Sequence, residues 1–380
     1  MEKISRDYCV FSGNRDMEPL FSFRDFPVFM GCTSEDPSTD LREDMSWWIS
    51  KGSGSIQLDP VLPLDVVYKM GHGSGSTGEL WIKHHAEFAK FVIEHHVSHV
   101  LEIGGGHGIL SKNCFEIDPD ISWTIVEPNP APVQGVKARF VEGFFDDQFK
   151  FNEPIDAVVH SHVFEHMYEP DTFMKHLSGF IQEGGFLIFS IPNMAVMLER
   201  KYTNCINFEH TVFLTDTYVE FLLKAHGFLL VKKQNFMDDH SIFYAAKRLA
   251  SNTNNVQLPE NIYSENKKIY EEYISYHKVF IQDMNRRMSQ APGKVYLFGA
   301  HVFAQYLISF GLDVTKIECI LDNDRNKSGK RLYGTNLTVQ MPKVLRGEKT
   351  PWVILKAGVY NSEIKDDIIG NINPLTLFLE

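Results

Sequence analysis

The sequence predicts an α/β protein: a mixed-sheet core, an irregular N-terminal segment and a second, smaller α/β unit at the C-terminal end. Three observations carry this. Between about Glu87 and Leu249, strand-like apolar runs alternate with helical patterns, as crossover helices on a largely parallel sheet require. After a polar gap, SNTNNVQLPEN (251–261), the same texture resumes. Each α/β stretch opens with a strand, a glycine turn and a helix.

The elements follow in order. Residues 1–85 read as irregular, because DPSTD (36–40), SKGSGS (50–55) and GHGSGSTG (71–78) interrupt short apolar runs. Within 86–250, strands are expected at SHVLEI (98–103), SWTIVE (122–127), ARFVEG (138–143), IDAVVHS (155–161) and GFLIFSI (185–191). Two more, FLLVKKQNF (228–236) and SIFYAAK (241–247), are close enough to form an antiparallel hairpin that makes the sheet mixed. Residues 251–290 read as a linker and a long helix from about 261 to 289, since Ile269, Tyr273, Phe280, Met284 and Met288 recur at helical spacing. Residues 291–380 form the second unit, with strands at KVYLFGA (294–300), IECILDND (317–324) and PWVILKA (351–357).

Composition narrows the function. The 380 residues are 43% hydrophobic and 23% charged, the balance of a globular enzyme. A net charge of −12 argues against a nucleic-acid partner, because neutralising phosphates needs a basic face. No run approaches the roughly 20 apolar residues of a membrane span, and the start lacks an apolar signal core. No membrane partner is expected, and the expected location is cytoplasmic. Five scattered cysteines, Cys9, Cys32, Cys114, Cys205 and Cys319, do not make a disulfide framework. Oligomeric state is left open.

The sharpest motif is Leu101-Glu102-Ile103-Gly104-Gly105-Gly106-His107-Gly108, between a strand and a helix. Its glycines let a ligand approach the backbone, and the helix start beyond them presents unpaired amides. Glu127 closes the next strand, where a carboxylate can accept both hydroxyls of a ribose. A dinucleotide fingerprint places its third glycine farther into the helix. Here the order is acid-x-Gly-x-Gly-x-Gly, which suits S-adenosylmethionine better. An NAD(P)-dependent oxidoreductase is the alternative of another class.

LEIGGGHG, Glu127, EGFF (142–145) and VVHSHVFEHMYEP (158–170) resemble class I S-adenosylmethionine-dependent methyltransferases. The resemblance implies a Rossmann-like core, with the donor held by Glu102, Gly104, Gly106, Glu127, Gly143 and Phe144. It also puts His160 to His162 at the floor of the reaction site, His160 on the donor side. The whole chain resembles the three-domain sugar C-methyltransferase branch, which adds an N-terminal zinc-binding segment and a C-terminal Rossmann-like domain. Cys9-Val10-Phe11-Ser12-Gly13 matches one zinc knuckle of that branch, but Ser12 stands in the second ligand's place. The other knuckle reads Ser50-Lys51-Gly52-Ser53-Gly54, with no cysteine, so no zinc and no metal site are expected. Asn207-Phe208-Glu209-His210 matches a Tyr-His-Glu-His segment, and His72 and Asn207 stand where the branch has acceptor-site tyrosines. Tyr296 to Ala300, with Asp322 and Lys327-Ser328-Gly329, matches the C-terminal domain.

An acceptor that must lose a proton needs a base, and histidine titrates near neutrality. His210 is the expected base, with Glu209 as its carboxylate and His162 as a further catalytic candidate. His166 joins His72 and Asn207 on the substrate side, and Tyr68, Trp81 and Phe213 are candidate pocket linings. GAHVFA (299–304) lacks a second glycine, so the C-terminal unit is expected to complete the acceptor cleft or an interface rather than bind a cofactor. By that resemblance, the expected activity is methyl transfer from S-adenosylmethionine to carbon of a nucleotide-linked (keto)deoxysugar. The alternative acceptor is an oxygen of a sugar or other small hydroxylated metabolite.

Overall fold

The structure, a computed structural model, describes residues 2–68, 78–146, 148–250 and 256–380. Strands β1 (Met17–Pro27), β3 (Arg42–Ser50) and β4 (Ile56–Leu58) form an antiparallel sheet, with a short β2 (Cys32–Thr33) between the first two in sequence. The expectation of an irregular N-terminal segment is thereby corrected. In β3, Met45, Trp47 and Ile49 face the core at period two. In β1, register shifts after Pro19 and after Phe23 break the alternation, which is why its sequence hides the strand.

Two turns beside this sheet mirror each other. Gly13 N donates to Cys9 O at 2.8 Å, and Gly54 N donates to Ser50 O at 2.9 Å. Cys9 Sγ and Ser53 Oγ, both buried, lie 2.9 Å apart, so a thiol–hydroxyl hydrogen bond joins the turns. A single helical turn, α1 (Leu64–Val67), follows the sheet.

The central sheet contains β5 (His99–Ile103), β6 (Ser122–Glu127), β7 (Arg139–Glu142), β8 (Ala157–Ser161), β9 (Phe186–Pro192), β10 (Phe228–Phe236) and β11 (Ser241–Arg248). Its order is β10-β11-β9-β8-β5-β6-β7. Strands β5 to β9 are parallel, and β11 runs antiparallel between β9 and β10, as the hairpin reading expected. Helices α2 (Glu79–Ile93) and α3 (Ile109–Ile117) cover one face, where Phe88, Val92 and Cys114 meet Ile125, Val159 and Phe243. Helix α2 starts before residue 86, so that boundary would cut a helix whose apolar side belongs to the central core. On the other face, α4 (Pro170–Phe180) and α6 (Asp216–Ala225) bring Phe173, Leu177, Tyr218 and Leu222 against Val158, Phe189 and Tyr244. A short α5 (Met194–Glu199) follows β9.

Helix α7 (Ile262–Ser289) then joins two cores. Its Tyr270, Tyr273 and Ile274 pack with the N-terminal and central apolar cluster, whereas Phe280, Ile281, Met284 and Met288 belong to the C-terminal one. The C-terminal sheet comprises β12 (Val295–Phe298), β13 (Ile317–Leu321), β15 (Val339–Gln340), β16 (Trp352–Leu355) and β17 (Leu377–Leu379). All are parallel, in the order β15-β13-β12-β16-β17, with α8 (Val302–Ser309) and α9 (Asn361–Asp367) in the crossovers. Among the described residues, no helix is long and apolar enough to cross a membrane.

This unit docks on the N-terminal segment. Strand β14 (Arg331–Leu332) pairs antiparallel with β2. Arg331 donates to both oxygens of Asp40 at 2.7 Å, with little of either side chain in water. Gln305 Nε2 donates to Phe29 O (2.9 Å) and Tyr333 O (3.0 Å). Asp40→Ala leaves the guanidinium without its carboxylate and should cost about 2–3 kcal/mol in urea unfolding. Asp7→Ala, which removes an exposed partner of Arg15, is the control and should leave the midpoint unchanged.

Candidate active site

In the central sheet the strand order reverses between β5 and β8, which opens a crevice at their C-terminal ends. The glycine loop lies on its β5 side. Gly104 and Gly108 have φ of +76° and +66°, a left-handed backbone that a side chain disfavours. Space is equally tight. A Cβ on Gly105 would stand 2.4 Å from the Glu102 carboxyl carbon, and one on Gly104 would stand 2.8 Å from Val163 Cγ2. The loop therefore rests on Glu102 beneath and touches the residue that follows His162.

The residues expected on the donor side do gather there. Glu102 is buried and accepts the Trp123 indole N–H at 2.7 Å. Burial pushes its carboxyl up to about 7, opposed by that hydrogen bond. A Cβ on Gly106 would lie 3.3 Å from the Glu127 carboxylate, so loop and acid are neighbours. Gly143 N donates to Glu127 O at 3.1 Å, which brings the following Phe144 alongside, with 67% of its surface exposed. A side-chain-free loop, a carboxylate at the end of β6 and an exposed aromatic fit the methionine, ribose and adenine parts of S-adenosylmethionine. His160 does not join them. Its ring is buried, stacked on Phe189 at 4.9 Å, and desolvation lowers its pKa to about 3. It is a core residue one position short of the strand end.

The other expected residues gather on the β8 side. His162 leaves β8 with φ +53°, its Nε2 2.9 Å from Ser241 Oγ and its Nδ1 3.1 Å from Glu165 Oε1. His210 Nδ1 lies 3.0 Å from Cys205 O, so Nδ1 carries the proton and Nε2 keeps a lone pair. The His166 and His210 rings lie 4.7 Å apart, and the Tyr68 hydroxyl is 2.9 Å from His166 Nδ1. Burial lowers the His210 pKa from its ordinary value, opposed by the charge of Glu165 and the Cys205 carbonyl.

Three expectations change. Burial pushes the Glu209 carboxyl up to about 8, away from the ionised partner expected of it, and Glu165 is a carboxylate whose charge acts on His210. Asn207 does not take the place of an acceptor-site phenol at the surface. It is buried, and its Oδ1 accepts the backbone N–H of Glu209 (2.8 Å) and His210 (3.0 Å), fixing the turn that presents His210. Phe213 is wholly buried in the core. His72 lies outside the described residues.

Between these histidines and the C-terminal unit lies a cavity of about 100 Å³. Its wall includes Trp81, His162, His210 and His240 from the central unit and Ala357, Val359 and Tyr360 from beyond β16. Sequence reasoning missed Glu165, His84 and His240. Glu165 had a signal, standing three residues after His162 in a 160–166 stretch dense with histidine. In the C-terminal unit the acid at the end of β13 is occupied by its own chain. Asp322 Oδ2 accepts Ala300 N (2.9 Å) and Lys327 Nζ (3.0 Å), and Oδ1 accepts Asp324 N (2.9 Å).

Residues 78–233 match the family described as a methyltransferase domain, so this enzyme carries a methyltransferase domain over the central sheet. No curated protein matches the chain in sequence. Among solved structures, it is similar to an O-methyltransferase family protein from Burkholderia thailandensis: 12% identity, TM-score 0.36, over 44% of this chain and 56% of that one. It is also similar to an S-adenosylmethionine-dependent methyltransferase from Clostridium acetobutylicum, with 14% identity and TM-score 0.34 over 44% of this chain and 92% of that one. The N-methyltransferase NodS from Bradyrhizobium japonicum, in complex with S-adenosyl-L-homocysteine, gives 14% identity and TM-score 0.34, over 46% and 89% respectively. The first of these is matched over little more than half its length.

The loop geometry sets two glycine substitutions apart. Gly105→Ala must displace Glu102 and should destabilise by about 1–3 kcal/mol in chemical denaturation. Gly179→Ala, in α4 with open space around its Cβ, should instead stabilise by about 0.5–1 kcal/mol.

Proposed function

We propose that the chain moves a methyl group from S-adenosylmethionine to carbon of a nucleotide-linked keto-deoxysugar, with His210 as the base. The observation that carries this is the cavity, walled by His162 and His210 on one side and by the C-terminal unit on the other, with Val163, next to His162, packed against Gly104 of the glycine loop. The three-part layout and the Asn207 to His210 segment support the sugar as acceptor through their resemblance to the sugar C-methyltransferase branch.

When bound, the donor supplies an electrophilic methyl carbon on a sulfonium. The chain's own task is to place the acceptor and move one proton. His210 Nε2 takes the proton from the carbon beside the ketone, and the electron pair left there forms the new C–C bond as the S–CH3 bond breaks. Sulfur keeps the bonding pair and becomes a neutral thioether, and the proton stays on the imidazole until it passes to water. Glu165 is a positioning residue: its charge favours the imidazolium that results. Alignment inside a dry cleft can contribute roughly 7–11 kcal/mol to such a displacement, and a placed base a further 10²–10⁴-fold, on the order of what these groups offer.

Two outcomes follow. With enzyme and a nucleotide-linked 4-keto-6-deoxysugar in heavy water, without donor, deuterium should enter the carbon beside the ketone, and His210→Ala should abolish exchange while donor binding by calorimetry is kept. Methylated product without carbon exchange would move the methyl to oxygen and overturn the assignment. The second concerns pH. Because burial holds the His210 pKa below that of a free imidazole, the base is neutral at pH 7 and the rate should fall only on acidification below about 6.5. Glu165 raises that pKa, so Glu165→Gln should move the acid limb of kcat to still lower pH while reducing its plateau.

A further inference from the structure

We infer that His84, His162 and His240 form a site for a divalent first-row transition-metal ion at the edge of the cavity. The inference goes beyond methyl transfer and does not depend on it.

The three side chains come from separate elements: α2, the end of β8 and the β10–β11 turn. One ligating nitrogen of each lies within 4.8 Å of the others. Imidazoles sharing one tetrahedral ion at about 2.0 Å have ring centres roughly 5 Å apart. Here His84 stands 5.2 Å from His162 and 5.4 Å from His240, and the last two are 6.1 Å apart. His84 is the telling member. It is fully buried, and neither ring nitrogen has a hydrogen-bond partner among the described residues. A buried imidazole with two unmet nitrogens is costly unless something satisfies them.

The surroundings agree with a ligand set. His84 and His240 are both buried, away from competing bulk water. Glu165 Oε1 beside His162 Nδ1 supplies the carboxylate that commonly orients a metal-bound histidine, leaving Nε2 to exchange Ser241 Oγ for the ion. His240 Nδ1 is held by Ser241 Oγ at 2.6 Å, which leaves its Nε2. Since His162 and His240 also line the cavity, a fourth position would be open to water or an acceptor oxygen. An all-nitrogen set with an oxygen-accessible position suits Zn²⁺, Fe²⁺ or Co²⁺ rather than Mg²⁺ or Ca²⁺.

The test uses the full chain, stripped with a chelator and titrated with Co²⁺. Wild type should take up one ion and develop the visible d–d absorption of a low-coordinate site. His84→Ala and His240→Ala should each weaken uptake by on the order of 100-fold, Glu165→Gln by about 10–100-fold, and the exposed His99→Ala not at all. Donor affinity, measured separately by calorimetry, reports on folding and on the methyltransferase reading independently. Absence of stoichiometric uptake by wild type overturns the inference. So does uptake lost in His210→Ala and kept in His84→Ala, which would put the ion on the neighbouring Glu165, His166 and His210. Should the histidine variants fail to fold, anomalous scattering from a Zn²⁺-soaked wild-type crystal decides: an ion about 2.0–2.1 Å from the three nitrogens supports the site, and none there refutes it.

Discussion

Everything at the site depends on one topological constraint, the divergence of the crossovers leaving β5 and β8. Neighbouring strands whose connections run to opposite sides leave a gap at their carboxyl ends that no helix fills. Into that gap the chain places backbone rather than side chains on the β5 side, and histidines on the β8 side. The glycine loop can lie so low only because Glu102 tucks beneath it, tied to Trp123 on the adjacent strand. The contact from Gly104 to Val163 brings the two sides within van der Waals reach. Glycine loop and histidine cluster are thus one construction.

The two flanking units serve that construction from outside. The N-terminal sheet shares its apolar cluster with the central sheet and with the first half of α7, and the second half of α7 is built into the C-terminal core. A 28-residue helix is long enough to belong to both, which makes it a strut rather than a linker. The C-terminal unit repeats the parallel architecture of the central one, yet its ribose-type acid is spent on Lys327 and on backbone amides. What it contributes is a wall, through Ala357, Val359 and Tyr360.

Much of this was legible in the sequence, and the failures have physical causes. Strands buried on both faces announce themselves as apolar runs, and the half-exposed edge strands β7 and β10 still carry enough apolar residues, so every strand of the central sheet was placed within about two residues. Strand β1 escaped because bulges break its period, and β15 and β17 because two or three residues carry no period at all. At the site, features that rest on backbone, such as the tight turn at Gly104 and Gly108, could be read locally. His160 could not, since alternation along β8 does not say which face is dry. Asn207 likewise looked like an acceptor contact because a side chain bound to its own turn leaves no trace in the sequence beyond its identity. His84 and His240 lie far apart in the chain and converge only through the fold, with no spacing to betray them.

The joint between Arg331 and Asp40 has a meaning for chemistry as well as for stability. One wall of the cavity belongs to a unit held in place by that joint, by Gln305 and by α7. A methyl donor is activated before it meets its target, and water is always the more abundant target. On the proposed reading, keeping that wall seated is therefore a matter of fidelity: loosening the joint between units would open the cavity to solvent.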